Sequence, residues 1–203
     1  MDDQGTSRLE AFSDGVFAIA ATLLVLEIGV DTARGDLGTQ LTDLWPAYLS
    51  YVTTFLIIGI IWQNHHHCVS LVGRVDRTFL FINTMLLLTV AFMPFPTKLV
   101  AQYLQKPDER QAVIAYAATM TVMATIYNLW WRYARTNRRL IDERTSDGAL
   151  KAVDRAFAPG VLLYGITLAV AFVSPLASVI ITLAIAVFYL PSAALFERGG
   201  EPL

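Results

Sequence analysis

Long apolar windows free of charge alternate with short polar links along the chain. Residues 44–73 contain no Asp, Glu, Lys or Arg, residues 78–97 are bounded by Arg77 and Lys98, and residues 111–131 are closed by Arg132. Each meets the roughly 20 apolar residues that a helix needs to cross a hydrocarbon core about 30 Å thick. A fourth uncharged run, residues 156–196, is 41 residues long and carries Ser174-Pro175 at its middle. Proline lacks a backbone donor and breaks a helix there, so this run reads as a helical hairpin. Near the start, residues 15–26 form an apolar segment of only twelve residues between Asp14 and Glu27. As a helix it covers roughly 18 Å, too short to face lipid on its own. The pattern predicts six helices, at about 8–30, 44–70, 78–104, 110–135, 155–173 and 176–196, in one domain over residues 1–203. The longest hydrophilic segment, 132–155, is expected to be a loop with a helical extension.

Composition fixes the class. Hydrophobic residues make up 55% of the chain and charged ones 16%, and the mean hydropathy is +0.51. Those values lie outside the usual range of water-soluble domains and define an all-α integral membrane protein in a lipid bilayer. The 15 Lys and Arg nearly balance the 17 Asp and Glu, which gives no sign of a nucleic-acid partner. A single cysteine, Cys68, excludes an intrachain disulfide. The first residues, with Asp2 and Asp3, lack the basic region of a cleavable signal peptide, so the first helix is expected to be retained.

Lys and Arg near span ends are retained in the cytoplasm. With six spans and both termini inside, the inner segments carry eleven of them: Arg8, Arg74, Arg77, Arg132, Arg135, Arg138, Arg139, Arg144, Lys151, Arg155 and Arg198. The outer loops carry four, Arg34, Lys98, Lys106 and Arg110. The split places both termini in the cytoplasm of a multi-pass cell-membrane protein. Trp45 and Tyr48 toward one interface, and Trp130, Trp131 and Tyr133 toward the other, read as interfacial aromatic belts.

The first helix has two faces. Ile19, Thr22, Leu23 and Leu26 recur at i, i+3, i+4 and i+7 and form one stripe, which Arg8, Phe12 and Gly15 continue. Ser13 and Asp14 lie about 120° and 140° from Ile19 on opposite sides, toward neighbouring helices. Such a stripe ordinarily means helix packing. An ionisable residue at membrane depth, however, costs about 2.5 to 3.5 kcal/mol on insertion scales and is retained for a reason. Arg8 is a poor intrahelical partner for Asp14, because six residues separate them by about 9 Å along the axis and about 120° around it.

Donors from other helices are the alternative. The second helix carries Trp62-Gln63-Asn64-His65-His66-His67 and the third carries Asn83. One or two of His65, His66 and His67, with Asn64 or Trp62, are expected to bond Ser13 and Asp14, leaving the remaining histidine at the interface. Three successive helical histidines fan out at about 100° intervals and cannot converge on one ion, so no metal site is expected.

The segment Arg8-x-x-x-Phe12-Ser13-Asp14, at the head of the first of six membrane helices, resembles the signature of the prokaryotic branch of the transmembrane protein 175 potassium channels. These are relatives of the lysosomal channel of animals. The resemblance extends over essentially the whole chain, including the His and Asn cluster of helix two, Asn83, and the stretch Phe92-Met93-Pro94-Phe95-Pro96-Thr97 of helix three. It implies a homotetramer in which each first helix lines a central pathway for potassium and other monovalent cations. No cofactor is implied. Family members lack a backbone-carbonyl filter, and no Thr-Val-Gly-Tyr-Gly segment occurs here. By position after the motif, the family's hydrophobic constriction falls on Ile19, with Leu23 and Leu26 as further rings and Thr22 as a hydroxyl ring. A narrow apolar neck strips part of the hydration shell, at less cost for the larger, weakly hydrated ion, and can also gate by dewetting.

Other classes fit less well. A secondary transporter would call for an internal repeat with paired broken helices, and Pro94 and Pro96 near one helix end and Ser174-Pro175 in a turn form no such pair. A membrane enzyme needs a converging nucleophile and base, whereas Ser13 and Asp14 point to different sides. A proton pathway through Asp14 or the histidines is a variant of the channel reading.

Overall fold

The structure, a computed structural model, describes residues 3–30 and 35–196, with side chains over 5–30 and 35–190. Arg34 and Arg198, which entered the charge count, lie outside the described residues. All described elements are helical apart from one isolated bridge between loops. Helix α1 spans Asp3–Leu23 and runs into a 3-10 turn, Leu24–Glu27; α2 is Leu37–Asp43, α3 Trp45–Ser70, α4 Arg77–Phe92 and α5 Pro94–Tyr103. They are followed by α6 Glu109–Arg135, α7 Asp147–Phe157, α8 Gly160–Ala171 and α9 Pro175–Phe196. Among the described residues five helical stretches are long and apolar enough to cross a membrane, and Pro175–Leu190 adds a shorter apolar helix.

Three expected helix limits are corrected. The first helix begins earlier and ends earlier than 8–30, because its last turn tightens into the 3-10 form before the Gly29 loop. The expected single helix over 78–104 is divided at Met93, where Pro94 and Pro96 remove two backbone donors. Thr97 partly compensates, since both its amide and its hydroxyl donate to the Met93 carbonyl, at 3.2 and 2.8 Å. The expected helix over 155–173 is two helices, because Pro159 interrupts it and Ser146 starts the first part earlier, its hydroxyl accepting from the Ala149 amide at 3.2 Å.

The packing order places α1 on one side of the subunit. It lies against α3 and α4; α3 also meets α5 and α9, α4 and α5 meet α6, and α6 meets α8 and α9 on the far side. Apolar side chains such as Phe17, Leu24, Ile57, Phe79, Leu86 and Met120 fill the space between these layers. Across α3, α5 and α6 a buried hydroxyl cluster replaces apolar contact: Thr54 lies 3.0 Å from Thr97 and 2.9 Å from the Tyr116 hydroxyl. At the arginine-rich end, two loops are knitted together. Val72 bridges Ile141, the Gly73 amide donates to Leu140 at 2.9 Å, and the Asp142 amide donates to Leu71 at 3.0 Å. Glycine at 73 suits this close approach, since a Cβ would meet the Asp142 Cα at 3.0 Å and push the two loops apart.

Trp130 and Trp131 do not form an interfacial belt. Both are buried inside the subunit. Trp130 stacks on His65 and Phe79, with ring centroids 4.8 and 5.0 Å apart, and Trp131 Nε1 donates to Asp154 at 3.0 Å. Nearness to a helix end marked them for the interface, but aromatic partners on α3 and α4 hold Trp130 inside. Trp45 and Tyr48, by contrast, are exposed on the subunit surface.

Candidate functional site

Helix α1 is sharply two-sided. Leu9, Ser13, Phe17, Ala20 and Leu24 are buried against the rest of the subunit. On the opposite face Phe12, Ile19 and Leu26 are 63, 62 and 72% exposed, and Leu23, Thr22, Gly15 and Arg8 are exposed as well. The stripe expected from periodicity is thus one continuous uncovered face. The Thr22 hydroxyl donates to the Ile19 carbonyl at 2.9 Å, which turns its lone pairs away from the helix.

Three helices secure the buried face. The Ser13 hydroxyl donates to the Leu9 carbonyl at 2.8 Å, so its oxygen is left to accept from Asn83 Nδ2 of α4 at 3.1 Å. Asn83 then presents its carbonyl oxygen to His65 Nε2 of α3 at 2.9 Å. That orientation makes His65 the donor and assigns the proton to Nε2. His65 Nδ1 finds no partner among the described residues, the less costly orphan, since in this tautomer it is a lone pair and not an N–H. The imidazole is instead held by ring contacts, 5.5 Å from Phe17 and 4.8 Å from Trp130.

Asp14, half-buried, is held separately. Trp62 Nε1 of α3 donates to its Oδ1 at 2.8 Å. One turn nearer the N-terminus, Glu10 Oε1 lies 2.7 Å from His66 Nδ1. At the other end of the helix Glu27 pairs with Lys98 of α5 at 2.9 Å. Each acid of the apolar segment is therefore answered by a partner from a neighbouring helix, which permits a short apolar helix at membrane depth.

His65, Asn83, Ser13, Trp62 and Asp14 come together, and His66 joins through Glu10, a residue that spacing alone does not single out. Asn64 does not join. It makes no bond to Ser13 or Asp14 and lines a cleft with Ile60, Met123 and Tyr127. The cause is helical register, because Asn64 lies about 100° from His65 and about 160° from Trp62 around α3. Arg8 and Phe12 of the motif lie on the uncovered face and not in the network.

An all-helical chain with several apolar spans, its first helix pinned on one face by a polar network, is a multi-pass integral membrane protein. The chain belongs to the TMEM175 family: the family described as endosomal/lysosomal potassium channel TMEM175 matches residues 8–94, and similarity to its bacterial relatives covers nearly the whole length. A potassium channel of Chamaesiphon minutus is 40% identical over 188 residues, 91% of this chain and 93% of that one. A potassium channel of Streptomyces collinus is 45% identical over 178 residues, 86% and 85% of the two chains. The crystal structure of a lysosomal potassium-selective channel TMEM175 homolog from Chamaesiphon minutus superposes with a TM-score of 0.84 at 39% identity, covering 93% of this chain and 97% of that one.

Proposed function

We propose that this chain is a potassium-permeable cation channel of the cell membrane. Four copies associate with α1 innermost, six crossings per subunit and both termini in the cytoplasm. The observation that carries this reading is the uncovered face of α1, an unbroken apolar stripe with one hydroxyl, on a helix whose other face is locked to α3 and α4. Its relatives named as potassium channels support the choice of ion.

In this arrangement Ile19 forms the narrowest ring, Leu23 and Leu26 form rings beyond it, and Thr22 offers outward lone pairs to a partly dehydrated ion. An apolar ring discriminates by the cost of removing water, which favours potassium over sodium, and it closes by drying. The network of Ser13, Asp14, Trp62, His65 and Asn83 carries no ion; it fixes the rotation of α1 so that Ile19 faces the axis.

Purified protein in liposomes loaded with potassium, then with sodium, tests the reading. Passive potassium flux exceeding sodium flux, with a cross-linked mass of four subunits, is the expected result. Flux that requires a second, coupled ion gradient, or a monomeric or dimeric mass, would overturn it.

A further inference from the structure

The sides of α3 and α6 turned away from α1 enclose, with α8 and α9, a cleft that neither the network nor the uncovered stripe uses. Ile60, Asn64, Met123, Tyr127, Phe157 and Gly160 lie along it, and its walls are mostly apolar. Its enclosed volume is about 80 Å³, room for several water-sized groups and so for a few methylenes of a chain that continues out through the mouth. Asn64, Asn128 and Tyr164 contribute polar side chains to it; Asn128 is engaged with the Ala124 carbonyl at 3.0 Å, whereas Asn64 makes no hydrogen bond among the described residues and is half-buried. A half-buried amide facing an apolar cleft favours an occupant with an acceptor oxygen.

The rim of the cleft supplies a second, independent observation. Ala156, Phe157 and Gly160 place the junction of α7 and α8 at its edge. Helix α7 is amphipathic: Leu150 and Val153 are buried, whereas Lys151 and Arg155, four residues apart on one face, are exposed. The acids of α7 are already engaged, Asp147 by Arg138 and Asp154 by Arg135 and by Trp131 at 3.0 Å. Lys151 and Arg155 have no such partner among the described residues, which leaves α7 with two uncompensated positive charges beside the mouth. A short amphipathic helix with a basic face lies in a membrane interface, where it meets lipid headgroups.

We infer that this cleft and α7 together bind an anionic phospholipid of the leaflet at the arginine-rich end, with the first methylenes of one acyl chain in the cleft, its ester region at Asn64, and its phosphate at Lys151 and Arg155. The inference needs only the membrane placement of the chain and stands whether or not α1 lines a pore. A basic side chain near an anionic membrane surface contributes enough that two of them favour an anionic over a zwitterionic lipid on the order of ten- to thirtyfold.

Trp131 makes an edge contact with Phe157 at 6.4 Å and Trp130 lies 5.6 Å from Tyr127, and replacing the two exposed tryptophans, Trp45 and Trp62, by phenylalanine lets fluorescence report on the site. The full chain with these two replacements is reconstituted in vesicles containing either phosphatidylglycerol or phosphatidylcholine brominated on the acyl chains. Quenching at about tenfold or more lower mole fraction of the brominated phosphatidylglycerol is expected. The pair Lys151→Gln and Arg155→Gln should abolish that preference, while Lys106→Gln with Arg110→Gln, at the other end of the subunit, should leave it intact. Gly160→Leu adds a side chain in open space, since no neighbouring atom would lie within 4 Å of the added Cβ, and it should lower quenching by both lipids; Ala124→Leu is the second filling variant should the first not fold. Equal quenching by the two lipids in the protein carrying only the two tryptophan replacements, loss of preference in both charge pairs alike, or unchanged quenching in the folded filling variants would each overturn the inference.

Discussion

Replacing Asn83 by alanine strikes the centre of the network that holds α1. Asn83 is buried and makes two interhelical hydrogen bonds, at 2.9 Å to His65 and 3.1 Å to Ser13. Truncation leaves the buried His65 Nε2–H without an acceptor, a loss of about 1–3 kcal/mol in general. Ser13 keeps its bond to Leu9, so its share is smaller, near the average of about 0.6 kcal/mol for interhelical bonds in membranes. The sum for Asn83→Ala is about 2–4 kcal/mol, whereas Ser13→Ala should cost about 1 kcal/mol. Unfolding by SDS titration in mixed micelles, followed by circular dichroism, measures both. The double variant supplies the decisive figure: a coupling of about 0.6 kcal/mol or more is expected for a direct bond. Costs that add within about 0.3 kcal/mol would refute the chain of donors from His65 through Asn83 to Ser13.

Other expectations follow from the same geometry. Ile19→Asn should wet the neck, raise single-channel conductance in planar bilayers and lower the preference for potassium over sodium; unchanged values would remove Ile19 from the neck. Trp62→Phe deprives Asp14 of its donor and should destabilise the subunit by about 1 kcal/mol without changing the preferred ion, as measured by SDS titration and by reversal potential. Asp76, which caps α4, is partly desolvated, an effect that alone would raise its pKa. The Phe79 amide, the Tyr133 hydroxyl and the Arg139 guanidinium outweigh this and hold the carboxyl below the ordinary aspartate value. A depressed folded-state pKa means that stabilisation is complete above the unfolded value of about 3.9 and fades as pH falls through the folded one. Asp76→Asn should therefore lower stability at neutral pH and flatten the acid limb of the stability curve below about pH 4.

The order and approximate positions of the apolar helical stretches were legible from charge-free windows, because burying backbone polar groups in lipid forces helices and leaves charges at their ends. The two-sidedness of α1 was legible from spacing alone, since Ile19, Thr22, Leu23 and Leu26 share a face at any packing arrangement. The breaks at Met93 and Ala158 were not, because hydropathy averages over a window and does not register one missing amide. That no histidine bonds Ser13 or Asp14 directly, and that His65 reaches Ser13 only through Asn83, was hidden for a different reason. Residues 64 to 67 sweep about 300° around α3, so the choice among them depends on how α3 is turned toward α4, and only Asn83 across the gap decides it. The inward position of Trp130 likewise depends on Phe79 and His65, which stand far from it in sequence.

The hydrogen bond from Ser13 back to the Leu9 carbonyl has a kinematic consequence. It ends the interhelical chain on the backbone of α1, so the lock senses the angle of the helix and not the flexing of a side chain. Turning α1 about its axis by one residue, about 100°, would carry Ser13 out of reach of Asn83 and sacrifice the whole chain at once. Tilting about Ser13 leaves those bonds at the fulcrum and loads instead the single Glu27–Lys98 pair at the far end. Of the rigid-body movements open to this helix, tilt is the soft one, and its largest displacement falls on the end that carries Leu26.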